Sequence, residues 1–416
     1  MNVLFVHQNF PGQYVHLAPA LAEKGHTVVG LGENSNLQGR ADLPGVQRVG
    51  YQAPQAGSPQ THPYIRNFEG QVRRGQQVAR SLLALQERGF VPDLICAHPG
   101  WGEALYIKDV FPGVPLVGLF EFYYHGRGQD VGFDPEFDQG PERSLDTVCR
   151  IRTKNTTNLL ALEAIDIGVC PTEYQKSVMP AALQPKLRGV HDGINTAVAR
   201  PNPAATLTIS GGQGELKLDR AVEVITFVNR NLEPYRGYHR FMRCLPKLLQ
   251  QRPLAQVVIV GGDGVSYGAA APDCKTWKEI FWQEVETEVD GSRVHFVGRI
   301  PYRQLIALFQ ISRVHVYLTY PFVLSWSMLE AMSCGCLVIG SRTAPVEEII
   351  QSGVNGLLVD FFKADELVQQ INNVLDHPTQ MQDLREQARA TIVQNYDLAR
   401  VCLPQQLSLL ETLMES

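Results

Sequence analysis

Tyr317-Leu-Thr-Tyr-Pro-Phe-Val-Leu-Ser-Trp-Ser-Met-Leu-Glu-Ala-Met-Ser-Cys-Gly335 is the stretch from which the architecture can be read. An apolar strand, Val314–Leu318, runs into a short loop, a helix begins near Ser325, and a second apolar strand follows at Leu337–Gly340. Fully apolar strands joined by a helix indicate a parallel sheet covered on both faces. Small hydroxyl residues at a helix start leave backbone N–H groups free beside the positive end of the helix dipole, a ready phosphate site. Ser327-Met-Leu-Glu330 also fits a capping box, in which Glu330 merely satisfies a backbone N–H. On spacing alone the cap is the stronger of the two readings.

The same β/α rhythm extends both ways. Downstream lie a weaker strand at Gly356–Val359 and amphipathic helices at about Ala364–Leu375 and Thr379–Gln394, then a last helix over Leu398–Met414. Upstream, strands are expected at Val222–Val228, Gln256–Val260 and Arg293–Val297. Arg200–Asp219 breaks the alternation with two prolines and Gly211, Gly212 and Gly214, and reads as a linker. Before it the pattern returns. Strands are expected at Asn2–Val6, from Thr27, and at Leu94–Ala97, Pro115–Phe120 and Ile165–Cys170, with long helices over Ile65–Arg88 and Ile151–Leu162. The chain therefore divides into two α/β units, 1–198 and 199–395. The second begins with a linker over 199–220, and a terminal helix over about 396–416 is expected to pack back onto the first.

Composition narrows the function. Among 416 residues, 44% are hydrophobic and 19% charged, a globular balance. Lys and Arg number 37 against 42 Asp and Glu, a net charge of −5, so no nucleic-acid partner is expected. Eight scattered cysteines form no zinc framework and suit a reducing compartment. No run approaches the roughly 18 apolar residues that span a bilayer, and the short N-terminal apolar run lacks a basic flank. A cytoplasmic location is expected. Arg73-Arg74 is the one hint of peripheral contact with a membrane surface.

Several loops could carry chemistry. In Phe227-Val-Asn-Arg-Asn-Leu-Glu-Pro-Tyr-Arg-Gly-Tyr238, Arg230 and Arg236 follow a strand end and suit a diphosphate, or else are solvated surface arginines. Val258-Ile-Val-Gly-Gly-Asp-Gly264 runs a strand into glycines but lacks the full dinucleotide spacing. Phe5-Val-His-Gln-Asn-Phe-Pro-Gly12 either approaches a phosphate or is only a tight turn. His98 and Glu121 sit at strand ends. A lone histidine there is more often structural, whereas a carboxylate among Phe120, Phe122 and Tyr123 is costly unless paired or used. The acidic stretch Gly126–Arg143, with Asp130, Asp134, Glu136, Asp138 and Glu142, reads as a mobile loop beside the site, its acidity a matter of solvation. No Asp-x-Asp pair and no metal-spaced histidine cluster occurs, so no metal and no cofactor is expected.

Taken together, the motifs resemble those of the retaining glycosyltransferases of family 4, also called glycosyl transferases group 1. The likeness is strongest from Val294-His-Phe-Val-Gly-Arg-Ile-Pro301 through Leu329-Glu-Ala-Met-Ser-Cys-Gly335 and Ala344-Pro-Val-Glu-Glu-Ile349 to Gly353-Val-Asn-Gly-Leu-Leu-Val359. Val228–Gly237 and Val190–Asn195 add to it, and the match is looser in the first unit. The resemblance implies the GT-B fold, two Rossmann-like doubly wound sheets facing across a cleft, with an acceptor-side first domain and a donor-binding second. It places Glu330 on the nucleotide ribose, Ser325, Trp326 and Ser327 at the helix start facing the diphosphate, and Arg230 and Arg236 on the leaving phosphate. Arg299 and Ile300 fall where the nucleobase is read, and Gly12 near the phosphates. Two departures mark a divergent subgroup. Phe322 stands where the family has a sugar-contacting glutamate, and Glu121 stands at a strand end that often bears histidine.

The activity so implied is a metal-independent hexosyltransferase moving a hexose from a nucleotide-sugar to an acceptor hydroxyl with retention. Its acceptor would be a glycan, a lipid-linked sugar or a small molecule. Glu121, His98, Arg230 and Arg236 are the candidate catalytic residues. A nucleotide-sugar epimerase of the same architecture and a non-catalytic nucleotide-sugar-binding partner are the alternatives.

Overall fold

A computed structural model describes residues 1–138, 145–211 and 214–415. The chain forms two compact units, Met1–Asp192 with Ala399–Ser416, and Gly193–Leu398.

The first unit is built on seven strands: β1 (Asn2–Val6), β2 (Thr27–Glu33), β3 (Val46–Tyr51), β4 (Leu94–Ala97), β5 (Leu116–Leu119), β6 (Ile167–Cys170) and β7 (Leu187–Gly189). They form a sheet ordered β3-β2-β1-β4-β5-β6-β7, and every pair is parallel. Strand periodicity sends alternate side chains to opposite faces. Leu4 and Val6 join Ile95 and Ala97 in one core, while Val3 and Phe5 join Leu94 and Cys96 in another. Apolar residues on both faces are therefore all used. The helix Arg66–Glu87 buries Val78, Leu82 and Leu85 in the first core, and the C-terminal helix Leu403–Glu415 contributes Leu410 to the second.

The long helix expected over Ile151–Leu162 is two helices, Leu145–Lys154 and Thr156–Ala164. The break falls at Asn155, whose side chain accepts from the Tyr124 amide at 2.9 Å and donates to the Tyr124 carbonyl at 2.7 Å. Strands β3 and β7 lay outside the expected set: β3 is only half-buried and β7 is three residues long. Of the acidic stretch 126–143, residues 139–143 lie outside the described residues. Arg73 pairs with Glu69, and Arg74 with Glu33 at 3.0 Å. Among the described residues no helix is long and apolar enough to cross a membrane.

The second unit opens with an antiparallel hairpin, β8 (Leu207–Gly211) and β9 (Gly214–Leu218), with Leu207 opposite Leu218 and Ile209 opposite Leu216. The linker expected over 199–220 is thereby corrected, because Ala205, Leu207, Ile209 and Leu218 are buried in the unit's core. The remaining strands are β10 (Val224–Asn231), β11 (Gln256–Gly262), β12 (Val294–Gly298), β13 (Val314–Tyr317), β14 (Leu337–Ser341) and β15 (Leu357–Val359). They form a parallel sheet ordered β12-β11-β10-β13-β14-β15. The division between units lies at 192/193 rather than 198/199. Ile194 pairs with Asp397, and the Ala199 carbonyl accepts from Ser333 and Arg389, which ties 193–199 to the second unit.

In each sheet the strand order reverses beside the first strand laid down, between β1 and β4 and between β10 and β13. Ligands of open α/β sheets bind outside the carboxyl ends of strands at such switch points.

Candidate functional site

In the second unit β10 ends in Arg230-Asn231, and a single turn, Pro234–Arg236, leads into the helix Tyr238–Gln251. The hinge is Gly237, at φ 67°, where a Cβ would come 2.3 Å from the Leu318 Cβ. Only glycine fits both that backbone and that approach. The turn buries Arg236 to 5% exposure, and its Nη1 donates to the Tyr317 hydroxyl at 3.2 Å and the Thr319 hydroxyl at 2.8 Å. Its guanidinium also lies 5.0 Å from the centre of the Tyr267 ring. Burial opposes the charge, but the Tyr317 and Tyr267 hydroxyls outweigh it and its pKa is raised.

The Tyr317 hydroxyl also accepts from the Ser325 amide at 2.9 Å. One phenol at the end of β13 thus joins the buried arginine to the start of the helix Trp326–Ser333. Ser325 is the N-cap, its hydroxyl accepting from the Ser327 amide at 3.3 Å. The Ser327–Glu330 capping box is therefore corrected. Glu330, 7% exposed, instead accepts a hydrogen bond from the Tyr302 hydroxyl. Burial holds its carboxyl above the usual carboxylate range, and the Tyr302 bond offsets part of that rise.

The other expected residues divide. Arg299 Nη2 donates to Asn231 Oδ1 at 3.1 Å, which brings the β12 end to β10. Ile300 is half-buried, while Trp326 and Arg230 are exposed. Phe322 is buried with its ring against Tyr235 and Tyr267. The glycine-rich loop after β11 already holds an anion from within the chain. The fully buried Glu233 accepts from the amides of Ser266, Tyr267 and Gly268, each at 3.1 Å. Neither Glu233 nor Tyr267 stood out in the sequence. The one available signal was an acidic residue inside the turn that carries Arg236.

In the first unit three adjacent strands end in polar groups, His7 after β1, His98 after β4 and Glu121 beyond β5. His98 is 3% exposed, stacks on Trp101 at 4.2 Å, and brings Nε2 within 3.2 Å of Glu121 Oε2. The Gly100 amide donates to His98 Nδ1 at 3.2 Å. Gln13 Nε2 donates to Glu121 Oε1 at 2.6 Å, and Gln13 Oε1 meets His7 Nε2 at 2.9 Å. Burial would raise the Glu121 carboxyl, but His98, His7 and Gln13 outweigh it and hold it below the usual carboxylate range. Burial, with His98 adding to it, lowers His7 to about 3. Gly12, at φ 51°, lies against the His7 ring, where a Cβ would come within 2.5 Å of Nε2. No sequence pattern singles out His7 within the Phe5–Gly12 stretch or Gln13 in the short helical turn Gly12–Val15 that follows it.

Two parallel sheets, each with a switch point beside its first strand, are the architecture of the GT-B class of glycosyltransferases, to which comparison with known proteins assigns this chain. The sequence profile of the Glycosyl transferase family 4 group matches residues 24–199, and that of Glycosyl transferases group 1 matches residues 213–391. The chain belongs to glycosyltransferase family 4. A D-inositol 3-phosphate glycosyltransferase from Corynebacterium jeikeium is 29% identical over 166 residues, 39% of this chain and 38% of that protein. One from Rhodococcus opacus is 25% identical over 176 residues, 42% of this chain and 37% of the relative. The alignments thus span under two fifths of those relatives. Sucrose-phosphate synthase from Thermosynechococcus elongatus superposes with a TM-score of 0.73 at 18% identity, all of both chains being covered. The Anabaena protein HepE, in complex with UDP and glucose, gives 0.66 at 17%, again over all of both chains. At such identities these two likenesses speak to the fold.

Proposed function

We propose that this chain transfers a hexose from a nucleotide diphosphate sugar to an acceptor hydroxyl, with retention of anomeric configuration and without a metal. The observation that carries the proposal is the Tyr317 hydroxyl, which links the buried Arg236 to the N-terminus of the helix at Ser325. Two preorganised positive ends meet at one switch point, where a departing diphosphate would develop negative charge. Arg230, exposed at the end of β10, supplies a second guanidinium. Ser325, Trp326 and Ser327 form the helix start that faces the diphosphate with its positive dipole end, the Ser325 and Ser327 amides being engaged by Tyr317 and the Ser325 hydroxyl. Glu330 takes the ribose, and Arg299 and Ile300 border the nucleobase.

Retention follows if the acceptor attacks the face the diphosphate leaves. The acceptor proton then passes to the departing phosphate oxygen, the acceptor oxygen bonds the anomeric carbon, and the carbon–oxygen bond to phosphate breaks with its electron pair. Glu121 and His98 orient sugar or acceptor hydroxyls, and Gly12 lets the first-unit turn approach the phosphates. The bound UDP and glucose in HepE support a nucleotide-sugar donor.

A thermal-shift screen of UDP-, GDP- and ADP-sugars identifies the donor, since only a ligand that binds the folded state raises its stability. Arg230→Ala is expected to keep the melting temperature and lose most transferase activity, at least about a hundredfold. A folded, fully active variant refutes the assignment. Release of epimerised donor without an acceptor would instead favour an epimerase.

A further inference from the structure

We infer that Gln13 is a positioning residue for this reaction: its side-chain amide, oriented by His7, fixes the Glu121 carboxylate so that its open edge faces substrate. The inference rests on the transferase reading above.

The orientation is set step by step. The Asn9 amide donates to His7 Nδ1 at 2.9 Å, so the proton of the neutral ring sits on Nε2. That proton faces Gln13 Oε1 at 2.9 Å, which defines the amide's carbonyl end. Its NH2 end must then point the other way, at Glu121 Oε1, where it donates at 2.6 Å. The second carboxylate oxygen meets His98 Nε2 at 3.2 Å. The Gln175 side chain donates to the Glu121 carbonyl at 2.5 Å and pins the backbone beneath. Oε1 is thereby held by Gln13, while Oε2 lies beside His98 without a hydrogen bond to its Nε2, and the Glu121 side chain keeps 34% of its surface exposed, against 3% for His98. Of this pair, the carboxylate is the group a substrate can reach.

The titratable groups facing Glu121 are His98 and His7, with Gln13 the neutral donor, and together they keep it ionised. A carboxylate held at one oxygen by Gln13 can accept a hydrogen bond from a sugar or acceptor hydroxyl at the other. It also stabilises positive charge developing on a sugar ring. It does not act as a proton donor near neutral pH. Gln13 contributes without touching substrate, by removing the carboxylate's rotational freedom before substrate arrives.

The test uses the full-length chain with Gln13→Met, which removes the donor, and Gln13→Glu, which keeps the side chain's length and acceptor but sets a second carboxylate against Glu121. The Glu121 carboxyl is titrated by carbon NMR, its resonance identified by its loss in Glu121→Gln, and kcat and KM for the donor are measured across pH. A hydrogen bond to a charged group is worth about 1.5–3 kcal/mol, so the Glu121 titration should rise by about one to two pH units in Gln13→Met. It should rise further in Gln13→Glu, because two adjacent carboxylates share a proton. The acidic limb of kcat should move by the same amount, with kcat down roughly tenfold at the plateau and donor KM unchanged. An unmoved Glu121 titration overturns the inference, as does a fall in kcat with no shift of the limb. Gln13→Glu decides the matter if Gln13→Met fails to fold. If wild-type protein turns over no nucleotide-sugar, the transferase reading fails, and the titration alone decides whether Gln13 clamps Glu121.

Discussion

His315 offers a quantitative test of how the second sheet is built. It lies on β13, fully buried, with Nδ1 3.0 Å from the Thr226 hydroxyl and its ring edge against Phe309. Its Nε2 is buried and has no hydrogen-bond partner among the described residues, so protonation would place a charge where no described acceptor receives it. Burial accordingly lowers its pKa from 6.5 to about 3. The sign follows from proton uptake: between pH 6.5 and 3 the unfolded chain binds this proton and the folded chain does not. Stability is therefore intact above pH 6.5 and falls as pH drops towards 3. With those two values, His315 alone costs about 2 kcal/mol between pH 7 and pH 5. His315→Phe preserves the ring and gives up no bond at Nε2, while Thr226 keeps its contact with the Ser312 hydroxyl at 2.9 Å. Urea unfolding of wild type and variant at pH 7 and pH 5 gives the double difference. The comparison is needed because His7 and His191, lowered to about 3 and about 4 mainly by burial, add their own acid sensitivity. Wild type should lose about 2 kcal/mol more than His315→Phe. Equal losses in the two proteins would refute the reasoning.

Two further substitutions probe the second unit. Glu233→Gln replaces the carboxylate that receives three backbone amides, and should lower stability by about 2–4 kcal/mol, read as a fall in the thermal midpoint. A midpoint within error of wild type would show that the loop does not depend on that carboxylate. Tyr302→Phe removes the hydrogen bond that offsets the burial of Glu330. Nucleotide affinity by calorimetry should weaken roughly three- to tenfold, by about 1 kcal/mol, and more steeply as pH falls. Unchanged affinity at every pH would remove Glu330 from the ribose site.

The parallel sheets were legible because their strands are short apolar runs closed by helical patterns, as in Leu94–Ala97 and Leu337–Gly340. Where burial is partial, that signal fades. β3, reading Val-Gln-Arg-Val-Gly-Tyr, carries Gln47 and Arg48 and was missed for that reason. The β8–β9 hairpin was hidden by glycines, although Leu207, Ile209, Leu216 and Leu218 alternate on one face. In the site, residues of the strand-to-helix loops could be placed from motif spacing. The helix cap could not, because Ser325 and Ser327 are equally good caps in sequence, and only the extended backbone at Ser325 and its hydroxyl accepting from the Ser327 amide separate them. Links such as Gln13 to Glu121 join residues more than a hundred positions apart, and no local pattern announces them.

The buried Glu233 has a further consequence. Its carboxylate belongs to the same folded chain as the loop amides it fills, 33–35 positions away in sequence, so it competes for them at a high effective concentration. A phosphate in free solution meets a seat already taken by a covalently attached rival. The Ser266, Tyr267 and Gly268 amides after β11 are thus closed to a second anion by occupancy rather than by shape, which is consistent with the proposed place of a diphosphate at the helix start instead.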